Sequence, residues 1–169
     1  MVIRFCRALI LIVGLFLIHL IFINLLPSPF NNINLIFLYL LWQIIHYNKL
    51  PVWQSLVLAG LLELFSSTPF GINLIIYPAS FTLLFWISKN ILVNRSFYTI
   101  IITTALGVVL FRLIFIIALL ILNVFIASLF TLNQEILIYI GWEIVLNCAF
   151  SVIIYLVTLS SFLKNNKWF

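Results

Sequence analysis

Three glutamates, two histidines, two cysteines and one arginine inside an apolar run are the residues with which this chain could do chemistry: Glu63, Glu135, Glu143, His19, His46, Cys6, Cys148 and Arg112. No aspartate occurs. That excludes a paired-aspartate protease site and an aspartate-rich metal motif of the kind membrane phosphotransferases use. A Gly-x-Ser-x-Gly elbow, a paired-cysteine motif and a phosphate-binding loop are also missing from the sequence. Each histidine stands without Cys, Asp or Glu at metal-ligand spacing, so neither a metal nor a cofactor is expected. His46 falls at a helix end, where capping or solvation is the ordinary role. The two cysteines lie at different depths, so no disulfide is expected and Cys148 reads as a small packing residue. The chain reads as a non-enzyme.

The unusual feature is where Glu63, Glu143, Arg112 and His19 stand. All four lie within long apolar segments, where an isolated charge costs about 2.5–3.5 kcal/mol even on insertion scales. Pairing is the expected solution, as Arg112 with Glu143 or Arg112 with Glu63, with His19 nearby. At ~1.5 Å per residue the four side chains fall in one layer, ~17–22 Å from one end of their spans. Asn147 belongs to the same layer through a stripe at helical spacing, Tyr139, Glu143, Asn147, Ser151 and Tyr155. Such a layer reads either as the lining of a binding cavity or as polar glue between helices. Glue is the commoner use.

The elements that position these residues follow from composition. Of 169 residues 66% are hydrophobic and 7% charged, and the mean hydropathy is +1.36. A water-soluble domain carries about a quarter charged residues, so this is an integral membrane protein, all-α and polytopic, in a single membrane domain. Six spans are expected, at about 5–26, 33–47, 52–65, 72–88, 97–123 and 136–163. The first stops at Pro27-Ser28-Pro29 and reads as a span, not a cleaved signal, because no small-x-small site follows it. Spans two and three hold about 15 residues, roughly 22 Å against a ~30 Å hydrocarbon core, so they either cross or form a hairpin inside the membrane. Span five is longer than a bilayer needs. Small residues in Ser55-Leu-Val-Leu-Ala59-Gly60 and Thr103-Thr-Ala-Leu-Gly107 mark weak candidates for close helix approach.

Arg4, Arg7, Lys49, Lys89, Arg95, Lys164 and Lys167, seven of the eight basic residues, lie in alternate connections and the two tails. The connections at 27–34, 66–71 and 124–135 hold none, and the last carries Glu135. The positive-inside bias then predicts both termini on the cytoplasmic side, with Trp53, Trp86 and Trp168 near the inner boundary and Trp142 near the outer one. The same bias accounts for the net charge of +5; the basic residues form no cluster, so nucleic acid is not a partner and the bilayer is.

Between spans three and four the chain reads Ala59-Gly-Leu-Leu-Glu63-Leu-Phe-Ser66-Ser-Thr-Pro-Phe-Gly71-Ile-Asn. This stretch, following a short basic turn with Lys49, resembles the MreD family of rod-shape-determining membrane proteins. There a Gly precedes an acidic residue, a Ser-containing bend and a Gly that opens the next helix; Gly60, Glu63, Ser66, Pro69 and Gly71 hold those places here. Size and span count extend the likeness to the whole chain in outline, but its specific part is about fifteen residues. The acidic position is usually Asp in the family and is Glu63 here; Ser67 stands where Gly is common. The resemblance implies a scaffold of the bacterial inner membrane for cell elongation and peptidoglycan synthesis. It implies an MreC-like bitopic partner and, indirectly, an MreB-like filament and the peptidoglycan synthases. A fold similar to the substrate-binding subunits of energy-coupling-factor transporters is also implied. The alternative is a small-molecule, vitamin-like binding or transport subunit that uses the polar layer as its cavity.

Overall fold

The computed structural model describes the backbone of residues 2–66, 69–90, 97–125 and 134–165, and the side chains of 9–66, 69–90, 97–122 and 138–157. The described residues form six α-helices and one 3-10 turn: α1 (Val2–Leu25), the turn Phe30–Asn32, α2 (Leu35–Tyr47), α3 (Val52–Phe65), α4 (Ile72–Asn90), α5 (Phe97–Phe125) and α6 (Gln134–Asn165). The expected third span matches α3 residue for residue, and the others differ at their ends by a few residues. The side chains of Cys6, Arg4, Arg7, Glu135 and Lys164 lie outside the described residues, as do Ser67, Arg95, Lys167, Trp168 and the 126–133 connection.

Helix boundaries follow local chemistry. Asn34 starts α2 by accepting the Phe37 N–H on its side chain at 2.9 Å, which satisfies a donor that no preceding turn can reach. Asn48 ends α2 in the left-handed conformation, φ 50°, which Asn tolerates better than most residues. Pro51 stands just before the first helical residue of α3, where no backbone donor is needed. Pro78 lies inside α4, and its carbonyl accepts the Thr82 hydroxyl at 2.7 Å.

Among the described residues three helices are long and apolar enough to cross a membrane: Ile72–Asn90, Phe97–Leu122 and Ile138–Val157. Exposed side chains include many aliphatic ones, among them Ile10, Leu17, Ile75, Leu113 and Ile153. Trp53, Trp86 and Trp142 are exposed too, and sit toward helix ends as amphipathic rings do at an interface.

Packing is an arc. Helices α3, α4, α5 and α6 pack each on the next, and α1 closes against α3. Short α2 stands in the middle and touches all five. Its Phe37 is 2% exposed and meets Phe81 of α4 and Phe111 of α5 at ring separations of 5.4 and 6.2 Å. Between α1 and α6, the ends of the arc, there is no contact among the described residues; the 3-10 turn touches both.

Gly107 makes this packing possible. A Cβ there would stand 2.8 Å from Phe37 Cζ and 2.9 Å from Leu84 Cδ2. Gly60, also expected at a close approach, has only Leu74 Cδ2 at an ordinary 3.8 Å. Of the two glycines, only Gly107 stands where a Cβ would clash; Ser55 and Ala59 of the α3 stretch are themselves fully buried.

The helices are unequal in length, and their contacts show by how much. Phe111, fourteen residues before the end of α5, meets Tyr77, five residues after the start of α4, at 4.9 Å. Asn147, thirteen residues into α6, meets Asn34 at the start of α2. At ~1.5 Å per residue, α5 and α6 therefore run roughly 13–20 Å beyond the ends of α4 and α2. The bundle is stepped at the end that carries the 66–71 bend.

Candidate functional site

The polar groups divide into two centres. The first is the bend between α3 and α4. Glu63, 6% exposed, stands two residues before the end of α3 and turns its carboxylate onto the start of α4. Its Oε1 accepts the Gly71 N–H at 2.7 Å and its Oε2 accepts the Asn73 N–H at 3.0 Å. These are orphan donors of a helix N-terminus, where partial positive charge gathers, so a carboxylate is the fitting acceptor. The bend itself is built for this. Ser66 ends α3 in an extended conformation, φ −86° and ψ 141°. The Pro69 carbonyl accepts the Ile72 N–H at 3.4 Å. Gly71 has φ +97°, with open space where a Cβ would be; the backbone angle, not crowding, calls for glycine.

Glu63 is therefore not the partner of Arg112. The expectation left two candidate acids, and the reason for the outcome is local. A carboxylate already holding two N–H groups of its own hairpin has its charge met there.

The second centre joins α5, α6, α2 and α4. Arg112 Nε donates to Glu143 Oε2 in a salt bridge whose side chains are 34% and 4% exposed respectively. The guanidinium also lies 6.0 Å from the centre of the Phe115 ring. One turn along α6, the fully buried Asn147 donates to the Glu143 carbonyl at 2.8 Å and accepts the Asn34 N–H at 3.1 Å. Its amide reaches the Asn32 carbonyl at 3.4 Å as well. Asn34 continues the chain by donating from Nδ2 to the Tyr77 hydroxyl of α4 at 3.2 Å. A further turn along α6, Thr104 donates to Ser151 at 3.1 Å.

Of the stripe read from α6, Glu143, Asn147 and Ser151 are buried and Tyr139 is 51% exposed. Tyr155 is half-buried with its ring 6.3 Å from that of Phe97 of α5, so four of the five stripe residues face other helices. Asn34 and Tyr77 were missed as members of this centre. Asn34 carried a signal, since an Asn immediately before an apolar helix is a ready N-cap; nothing about Tyr77 distinguished it from the other tyrosines.

His19 belongs to neither centre. It is 4% exposed in α1, and its Nδ1 is buried without a partner. Helix α1 touches α2, α3 and the 3-10 turn but not α5 or α6 among the described residues. The depth expected for His19 and Arg112 carried no information about azimuth. Two more orphaned buried atoms, Asn31 Oδ1 and Asn32 Nδ2, lie in the 3-10 turn beside α1. Cys148 is a free thiol that reaches the Ile101 carbonyl at 3.8 Å, in keeping with a packing role. His46 stacks on Trp42 at 4.9 Å near the end of α2.

Chemically, both centres hold charge and dipoles in place. The first closes a helical hairpin; the second ties the arc to its central helix. No family model, no curated protein and no solved structure matches this chain.

Proposed function

We propose that this chain is a six-span, non-enzymatic scaffold of the bacterial cytoplasmic membrane that serves cell elongation by docking an MreC-like single-span partner. The observation that carries the reading is the Glu63 bend. Glu63, Pro69 and Gly71, three of the five positions singled out by the resemblance to the MreD family, take part in one capped turn whose hydrogen bonds involve each of them. A motif that builds a rigid hairpin, with polar groups committed to one another, suits a protein that presents a surface better than one that transforms a substrate.

The topology belongs to the same proposal. Lys49 follows α2 and Lys89 lies in the last turn of α4, both at the end opposite the bend. Placing that end in the cytoplasm satisfies the positive-inside bias and puts both termini inside. What the described residues offer a partner is helix faces and short connections.

The test is affinity purification of the tagged chain from native membranes in mild detergent. A single-span protein of the cell-elongation machinery should co-purify, and should be lost with Glu63→Leu. Recovery of the intact wild-type chain with no such partner removes the scaffold reading.

A second reading, a vitamin-like small-molecule binding or transport subunit, has an observation of its own. His19 Nδ1, Asn31 Oδ1 and Asn32 Nδ2 are buried without partners, and orphaned polar atoms are what a bound polar molecule would satisfy. Thermal stabilisation of the purified protein by such a ligand would favour it.

A further inference from the structure

Among the described residues every helix but one is tied to a neighbour by a polar bond. Glu63 joins α3 to α4, and Arg112 joins α5 to Glu143 of α6. Asn34, at the start of α2, bonds both Asn147 of α6 and Tyr77 of α4. Helix α1 is the exception. From Leu9 to Leu25 its one side-chain hydrogen bond among the described residues is internal, from Asn24 Nδ2 to the Leu20 carbonyl at 2.9 Å. What holds this stretch to the bundle is apolar contact, with Ile12 and Phe16 buried and the Phe16 ring 5.4 Å from that of Phe65 at the end of α3. Between helices in lipid such contact has no hydrophobic driving force, because the tails are as apolar as the side chains.

The same boundary carries most of the unmade hydrogen bonds. Of the four buried side-chain atoms without a partner among the described residues, three belong to α1 or to the 3-10 turn that packs on it: His19 Nδ1, Asn31 Oδ1 and Asn32 Nδ2. The turn itself is held from elsewhere. Phe30 N–H donates to the Pro27 carbonyl at 2.9 Å and Asn32 N–H to the Pro29 carbonyl at 3.1 Å, and the Asn32 carbonyl accepts from Asn147 of α6. None of these bonds involves α1. A buried polar group without a partner is among the costlier defects of a fold, and access to water relieves it.

We propose that α1 is a gate: its half from Phe16 to Leu25 swings off α3 and the 3-10 turn, lets water reach His19, Asn31 and Asn32, and returns. Two opposing effects set this equilibrium. Closing gains the packing of Phe16 on Phe65 and loses the hydration of the histidine and the two asparagines. At the Glu63 bend and the Arg112–Glu143 centre the polar groups find protein partners, so closure gains on both counts there. The motion is therefore confined to α1, while α2 to α6 keep their places. It follows from the packing alone and is independent of the choice between scaffold and ligand-binding subunit.

Two measurements test the gate. The first uses the wild-type chain in detergent and diethyl pyrocarbonate, which acylates a water-accessible imidazole, followed by peptide mass spectrometry with exposed His46 as the internal reference. His19 should be acylated to completion, more slowly than His46. No modification of His19 after His46 has reacted fully, or equal rates at the two, overturns the proposal.

The second uses nitroxide pairs in lipid nanodiscs, with Cys6→Ser and Cys148→Ala removing the native thiols. Ile21→Cys with Leu113→Cys reports on α1, and Leu64→Cys with Leu113→Cys is the reference; all three positions are exposed. Double electron–electron resonance should resolve two distances for the α1 pair and one for the reference. His19→Leu removes an unpartnered polar atom from the closed form, so the population at the longer distance should fall at least about fivefold. A single narrow distance for the α1 pair, two distances for the reference pair as well, or a longer population unmoved by His19→Leu each overturns the proposal.

Discussion

The Glu63 bend and the Arg112–Glu143 centre both keep a carboxylate inside an apolar protein, and they do it by opposite means. Glu63 is satisfied by backbone donors eight and ten residues away. Glu143 is satisfied by a side chain thirty-one residues away on another helix, and its neighbour Asn147 by a backbone group one hundred and thirteen residues away. The first arrangement forms when one hairpin folds. The second requires four helices to be in place. Local closure gives a rigid element, and remote closure specifies how the elements are assembled.

The sharpest way to break this comparison is to remove the local acceptor. Glu63→Leu strands one buried and one part-buried N–H group, each worth about 1–3 kcal/mol, and should destabilise the protein by about 3 kcal/mol. Glu63→Gln keeps an acceptor oxygen and should lose less. Unfolding in detergent mixtures titrated with SDS measures both; a loss below about 1 kcal/mol for the leucine variant would mean that the cap is unimportant.

The remote centre should respond asymmetrically. Arg112→Met leaves the 4%-exposed Glu143 side chain without its cation, whereas Glu143→Gln leaves a 34%-exposed Arg112 beside an amide. The arginine change should therefore cost more, about 2 kcal/mol against about 1, because a buried unpaired charge is the larger penalty. Together they should cost less than the sum. Additive losses, or the reverse order, would break the pairing.

Asn147→Leu comes next, at about 1.5 kcal/mol, since interhelical hydrogen bonds in membranes average well below one kilocalorie and the residue makes several. The loss should appear as looser attachment of α2, seen as faster proteolysis or hydrogen exchange near Asn34. Protection there unchanged from wild type would show that the Asn147–Asn34 bond does not hold α2.

The smallest effect compares two glycines. Gly107→Ala pushes a methyl against Phe37 and Leu84 and should cost about 1 kcal/mol. Gly60→Ala meets only ordinary contact and should be neutral or stabilising by about 0.5 kcal/mol through helix propensity. Thermal melting of the two variants side by side is sufficient. Equal shifts would remove the claim that α5 alone depends on a glycine.

What could be read before folding was whatever one helix carries by itself. The six helical segments, the bend with its acidic residue, and the buried part of the α6 stripe all follow from apolar run length, Gly and Pro placement, and the 3.6-residue period. Gly71 was legible because a glycine opening a helix after a proline-containing bend has few other uses.

The tertiary structure decided which polar residues meet. Depth is one coordinate, and azimuth around the bundle is another that sequence spacing leaves open when every helix is apolar on most faces. Arg112 therefore had two possible acids until packing placed α6 beside α5 and turned Glu63 toward its own hairpin. The same reason hid Tyr77 from the network, separated His19 from it, and left α1 and α6 without a contact among the described residues. Chain geometry is local and repeats, so the elements belong to the sequence. Their rotation about one another depends on how side chains such as Phe37 fit against Gly107, and that is settled only when the helices pack.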